Sequence, residues 1–162
     1  MKLIVAVDSE WNIGNKGDLL FRLPLDMKFF RSTTTGKVVV MGRKTLESFP
    51  NGKPLKNRVN IVLSRDQTYF AEGAKTVSDI DELKEALTEY DTDDVYVIGG
   101  EAIYRLLLPL CDTAVITHVD AVAEEADKKF PELIEDEWEL AEVLDEAEDN
   151  GYNVKWCVYK RK

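Results

Sequence analysis

Five short runs of apolar residues, "LIVAV", "VVVM", "NIVL", "VYVI" and "AVITHV", constrain this chain's fold more than any other feature. They are rich in β-branched residues and mostly do not alternate apolar with polar, so each reads as a strand buried on both faces. Segments of helical character separate them. Residues 24–34 open on Pro24, whose missing N–H suits the first turn of a helix. "RKTLESF" follows Gly42, and "SDIDELKEAL" has an acid-rich start with Ile80, Leu83 and Leu87 at helical spacing. "EAIYRLLLPL" reads as a helix stopped by Pro109. Strands and helices in alternation predict a mostly parallel sheet covered on both sides. The tail differs: "WELAEVLDEAE" and "YNVKWCVYKRK" alternate apolar with polar and join through Asn150-Gly151, which suits an antiparallel hairpin. The expected architecture is a single α/β domain over residues 1–162, with a mixed, mostly parallel eight-stranded sheet flanked by helices and a C-terminal antiparallel hairpin at one edge.

Composition narrows the function classes. No stretch approaches the roughly 18 apolar residues of a membrane span, and the apolar run after Lys2 is too short for a signal-peptide core. Cys111 and Cys157 lie far apart and His118 is the only histidine, so no metal site is expected and both thiols read as reduced. The chain is expected to be cytoplasmic and monomeric. Its net charge of −10 argues against long nucleic acid as a partner. The first 70 residues are nevertheless net basic, which permits a small anionic ligand there. The acidic stretch 124–149 reads as a solvated face.

In open α/β sheets ligands sit at the carboxyl ends of strands, so the strand-to-helix junctions carry the interest. In "VVVMGRKT", Gly42 ends a strand and Arg43, Lys44 and Thr45 begin a helix. Both cations then stand at the positive end of the helix dipole, where they oppose stability, and a bound phosphate would account for them. In "VYVIGGEAIY", Gly99-Gly100 would let a cofactor diphosphate pack on bare backbone, although a tight turn explains the pair equally well. Neither the dinucleotide fingerprint nor the P-loop is present. In "NIVLSR", Ser64 and Arg65 could meet a further phosphate, such as the one that distinguishes NADPH from NADH. The stretch "LFRLPLDMKFFR" sets one acid, Asp26, among large apolar side chains. Two readings stand at this point: an early-helix acid favoured by the dipole, worth roughly 0.3–1 kcal/mol, or a binding carboxylate.

The order and spacing of "LIVAVD…NIGNKGDLLFRLPLDMKFFR", "KVVVMGRKTLESFP", "PLKNRVNIVLSR", "YVIGGEAIY" and "TAVITHVD" resemble the dihydrofolate reductase family of the bacterial chromosomal type, along nearly the whole chain. The resemblance implies reduction of 7,8-dihydrofolate to 5,6,7,8-tetrahydrofolate, in one-carbon metabolism, by hydride transfer from NADPH. It implies that Asp26 grips the pterin through N3 and the 2-amino group, with N5 protonated through water, and that the Thr117 hydroxyl bonds to this acid. Burial is expected to raise the acid's pKa. Ile4, Ala6, Met27, Phe30, Phe49, Ile98 and Tyr104 would line the substrate, with Leu25 also expected in the pocket wall, and Arg31 and Arg58 would meet the folate tail. On the cofactor side the resemblance implies Ala6, Ile13, Gly14, Gly17, Asp18 and Leu19 from a mobile flap and its base. Gly42, Arg43, Lys44, Thr45, Leu63, Ser64, Arg65 and Ser78 would follow, and then Ile98, Gly99, Gly100, Glu101, Ala102, Ile103 and Tyr104.

The sequence departs from the family pattern at Leu20 and Phe21, where many members have a Pro-Trp pair. Phe21 holds a catalytic position, yet it cannot donate a hydrogen bond as an indole would. Ala126 stands where the loop supporting the flap often has glycine. Ala102 offers no cation after the glycine pair, which leaves phosphate selectivity to Arg43, Lys44 and Arg65. Two alternatives remain at this point. One is a related reductase of riboflavin synthesis, which would not need Asp26 and Arg58 together. The other is a non-catalytic nucleotide-binding module.

Overall fold

The molecule, described over residues 1–162 by a computed structural model, is built on one eight-stranded sheet. In chain order the elements are β1 (Lys2–Val7), β2 (Asn12–Gly14), α1 (Pro24–Thr34), β3 (Val38–Gly42), α2 (Arg43–Glu47), β4 (Val59–Leu63) and β5 (Ala74–Val77). They continue with α3 (Ile80–Ala86), β6 (Val95–Gly99), α4 (Glu101–Leu107), β7 (Thr113–Val119), β8 (Lys128–Lys129), β9 (Trp138–Asp149) and β10 (Tyr152–Arg161). The sheet order is β5-β4-β3-β6-β1-β7-β10-β9. Every pairing from β5 to β7 is parallel, while β10 runs antiparallel to both β7 and β9. The mixed sheet and its edge hairpin agree with the sequence reading. No helix is long and apolar enough to cross a membrane.

The non-alternating strands do bury both faces. Leu3, Val5 and Val7 of β1 join the main core with Leu83 of α3 and with Tyr104 and Leu107 of α4. Ile4, between them, turns to the opposite face and packs with Tyr96, Val115, Phe29 and Phe30, the last two from α1. Two pairings were not anticipated. The eighth strand is β5, a short edge whose only buried residue is Val77. A two-stranded ribbon joins β2, inside the glycine-containing loop, to β8. Pro109 does not stop its helix abruptly; α4 passes into a single 3₁₀ turn over Leu108–Leu110.

The start of α1 corrects a simpler picture. Its first N–H groups are met not by a neighbouring side chain but by Asp149 at the end of β9. One Asp149 oxygen accepts from Leu25 N at 3.2 Å and the other from Asp26 N at 3.0 Å. The anion that complements the helix dipole thus comes from the hairpin.

Candidate active site

Asp26 lies in the first turn of α1 with its carboxylate directed at the sheet. Its Oδ1 accepts from Thr117 Oγ1–H at 2.7 Å and from Trp156 Nε1–H at 3.0 Å. Ala6, Thr117 and Trp156 are register partners across β1, β7 and β10, and so share the face that α1 covers. Oδ2 receives no hydrogen bond from the protein. Burial raises the Asp26 pKa above the usual carboxylate range; the Thr117 and Trp156 hydrogen bonds pull it back, and the Asp149 charge pushes it up again. The result is a mostly enclosed carboxylate with one oxygen fixed and the other unengaged. It borders a cleft lined by Ala6, Ile13, Leu20, Phe21, Leu23 and Met27, among others.

The neighbouring walls follow from the same face of the sheet. Phe30 of α1 and Ile98 pack against the cluster that holds Ile4, and Ile98 and Phe49 both pack against the adjoining cluster of Val39, Met41, Leu46 and Val62. Tyr104 is buried and donates its hydroxyl to Ile4 O at 2.7 Å. Phe21 meets Tyr152 of β10 edge to face at 4.8 Å. Leu25 does not line the cleft; Leu23, 4 % exposed, and Met27 do. Arg58 immediately precedes β4. Its Nε is buried with no partner inside the protein, and burial, with the Arg31 charge second, lowers its pKa. The two guanidinium groups are therefore close enough to repel, as suits a site for an anion.

A second set of residues gathers where β3, β4, β5 and β6 end side by side. Met41 of β3 is in register with Gly99 of β6, which brings the starts of α2 and α4 together. Neither helix start has a side-chain cap. Gly42 must lack a side chain here, because a Cβ would come within 2.9 Å of Ile103 Cγ1. A Cβ on Gly100 would stand 3.6 Å from Thr45 Oγ1, so the glycine pair and this hydroxyl border one shallow cradle. Leu63 is paired with Val77, which puts Ser64, Arg65 and Ser78 just beyond adjacent strand ends. Lys44 and Arg65 are exposed, whereas Arg43 is held by Glu47 at 2.6 Å and lies over the Tyr69 ring. Glu101 faces the flap ribbon instead, accepting from Lys129 N at 2.5 Å.

The flap is anchored at both ends. Asp8 accepts from Glu10 N, Asn12 N, Asn12 Nδ2 and Ala123 N, each at 2.9 Å. Burial by itself would raise the Asp8 pKa, but these hydrogen bonds outweigh it and the net shift is downward. Further along, Asp127 Oδ2 accepts from Lys16 N and Asp127 N donates to Gly14 O, both at 3.0 Å. Asn150 Nδ2 donates to Arg22 O at 2.8 Å, tying the hairpin turn to the flap's far end. Ile13 and Gly14 lie in the paired stretch, while Gly17, Asp18 and Leu19 form its exposed tip. Sequence reasoning missed Trp156, Asp149, Asp127 and Asp8, because each acts through a partner remote in the chain or through backbone N–H groups.

Comparisons with known proteins give the family. The family model described as dihydrofolate reductase matches residues 1–161. The dihydrofolate reductase of Mycobacterium leprae is 40% identical over 139 residues, covering 84% of this chain and 82% of that one. The Bacillus subtilis enzyme is 33% identical over 164 residues, covering 100% of this chain and 95% of its own. Among solved structures, Enterococcus faecalis dihydrofolate reductase complexed with NADP(H) and RAB-propyl matches with a TM-score of 0.89 at 33% identity, covering 99% of this chain and 95% of that one.

Proposed function

The chain belongs to the dihydrofolate reductase family and is an NADPH-dependent oxidoreductase; on that premise we propose that it reduces 7,8-dihydrofolate to 5,6,7,8-tetrahydrofolate with Asp26 holding the pterin and water delivering the proton to N5. The observation that carries this reading is the half-used Asp26 carboxylate, bound at Oδ1 by Thr117 and Trp156 and unengaged at Oδ2 beside an apolar cleft. A planar carboxylate can accept two parallel hydrogen bonds from an amidine-like edge such as pterin N3–H and the 2-amino group. The Thr117 hydroxyl steadies that geometry. Ile4, Ala6, Met27, Phe30, Phe49 and Ile98 line the ring and exclude bulk water, which strengthens the electrostatic contact.

No other acid in the cleft is suited to donate the proton. Asp8, the other acid that lines it, is occupied by four flap hydrogen bonds, and Asp149, outside the cleft, by two helix N–H groups. A water beside Asp26 therefore carries it, and the enclosed negative charge favours the protonated pterin. Arg58, with its unpartnered Nε, and the nearby Arg31 bind the carboxylate of the folate tail.

NADPH, when bound, supplies the hydride. Gly99, Gly100 and Thr45 would cradle its diphosphate, which fits the bare backbone of that junction. Lys44, Arg65 and Ser64, with Arg43 and Ser78 beside them, would meet the adenosine phosphate, and Ile13, Gly14, Ala6 and Tyr104 would bound the nicotinamide. The chain works as a monomer in the cytoplasm, its Cys111 and Cys157 buried as free thiols. The family assignment displaces the riboflavin-synthesis and non-catalytic alternatives.

Absorbance of NADPH, followed with and without dihydrofolate, tests the reading. Dihydrofolate-dependent loss of NADPH is expected; tight NADPH binding without turnover would overturn it.

A further inference from the structure

We propose that Trp156 is a positioning residue for Asp26: its indole N–H, with the Thr117 hydroxyl, binds one oxygen of that carboxylate and so presents the other to the cleft. The consequence for catalysis rests on the reductase reading above; the hydrogen bond itself does not.

Three features of the fold support this role. Trp156 and Thr117 are direct partners across β10 and β7, so their side chains leave the sheet together toward α1. Trp156 is 4 % exposed, and it packs with Leu23, Val119 and Val154 and against the Phe29 ring, centroids 6.0 Å apart. A buried indole N–H requires an acceptor, and Asp26 Oδ1 at 3.0 Å is the one it has. Finally, the β9–β10 pairing shifts register between Trp156 and Cys157, a bulge of the kind that re-aims a side chain.

The hairpin thereby holds Asp26 from two sides. Trp156 donates to its carboxylate, while Asp149, at the other end of the same turn, accepts from its backbone N–H at 3.0 Å. Phe21, which stands where many members of the family have tryptophan, carries no donor, and Thr117 and Trp156 are the only side chains that donate to Asp26. The titratable groups that act on Asp26 from surrounding elements are Asp149 of β9 and Tyr104 of α4, and Asp8 lines the same cleft. None of these supplies a positive charge. The two neutral donors are thus what favours the ionised form against burial.

The test reads the indole directly. The chain has three tryptophans, so three indole N–H signals appear in a ¹⁵N-correlated NMR spectrum, and the one lost in Trp156→Phe is Trp156. In the wild-type protein this signal should move with pH through the Asp26 titration, and the movement should vanish in Asp26→Asn. Trp11, edge-on to His118 at 5.6 Å, should follow that ring instead. In parallel, the pH profile of kcat/KM for dihydrofolate should show the Asp26 midpoint raised by about one pH unit in Trp156→Phe, the size expected for losing a hydrogen bond to a charged group. A Trp156 signal indifferent to pH, a titration that persists in Asp26→Asn, or an unmoved midpoint in a folded Trp156→Phe protein would overturn the proposal. Should Trp156→Phe fail to fold, the wild-type and Asp26→Asn spectra decide, since wild type has only the other two signals to set aside and Trp11 is marked by its His118 titration. Absence of dihydrofolate-dependent turnover would sink the reductase reading, while the indole titration would still judge this one.

Discussion

The two halves of the site are made from different material. On the proposed nucleotide side, the ends of β3, β4, β5 and β6 lie in register, and what they offer is mainly backbone: Gly42, Gly99 and Gly100, with short polar or cationic side chains beside them. On the proposed pterin side the parts are side chains brought from far apart, with Asp26 on α1, Thr117 on β7 and Trp156 on β10. A backbone cradle needs only small residues and strand alignment. A side-chain cluster needs three elements packed to within a few tenths of an ångström. The first half should therefore tolerate side-chain changes but not added bulk, and the second should fail one function at a time.

The strongest test of that contrast is Asp26→Asn. Turnover at neutral pH should fall by at least about a hundredfold while NADPH affinity barely changes, and near-normal turnover would return Asp26 to the status of a helix-end acid. The same variant should be more stable than wild type. Burial raises the folded-state pKa of Asp26 above 3.8, so ionising it opposes folding as pH rises past the unfolded value. Asparagine removes that penalty. The unfolding midpoint should rise by a few degrees at pH 7, and the gain should shrink as pH falls through the raised folded-state pKa and close only below 3.8, where the acid is neutral in both states. Melting curves at the two pH values check the sign.

Arg58→Ala should weaken dihydrofolate binding by roughly 1.5–3 kcal/mol, without effect on NADPH. A substrate lacking the glutamate tail should not sense the change, and equal losses for both substrates would remove Arg58 from the tail site. On the opposite side, Gly99→Ala puts a side chain at φ 119°, 3.1 Å from the Tyr104 ring. It should cost about 1–3 kcal/mol of stability and raise the Kd for NADPH more than that for dihydrofolate; calorimetric titration of each ligand separates the two. The smallest effect is expected for Asp149→Ala, which uncaps α1. A loss of about 0.5–2 kcal/mol in chemical denaturation should accompany a higher KM for dihydrofolate, with the KM for NADPH unchanged.

The same contrast explains what could be read from the chain beforehand. The central strands were legible because both of their faces are buried, which leaves uninterrupted apolar runs in the sequence. β5 was not, since it is an edge with a single buried position. The β2–β8 ribbon joins segments more than a hundred residues apart, and no local pattern encodes it. Glycine pairs and cations at strand ends are visible one junction at a time, so the nucleotide side stood out. Thr117 was identifiable only through family resemblance. Trp156 looked like an ordinary apolar position of a hairpin strand until register put it opposite Thr117. Leu25 was misjudged for a related reason: Leu23, Met27 and Phe30 follow one helical face, and Leu25 falls off it.

The capping of α1 by Asp149 has a consequence for the order in which the molecule is made. Most of the parallel sheet, β1 to β7, is complete by Val119, so the nucleotide cradle can assemble while the last forty-odd residues are still within or just leaving the ribosome. The substrate pocket cannot, because the start of α1 and the donor on Asp26 both wait for the hairpin. On the proposed assignment of the two halves, the strands of the nucleotide cradle thus precede the last parts of the pterin pocket in the order of synthesis. A chain that stalls before Tyr152 carries the nucleotide cradle without a finished place for the pterin.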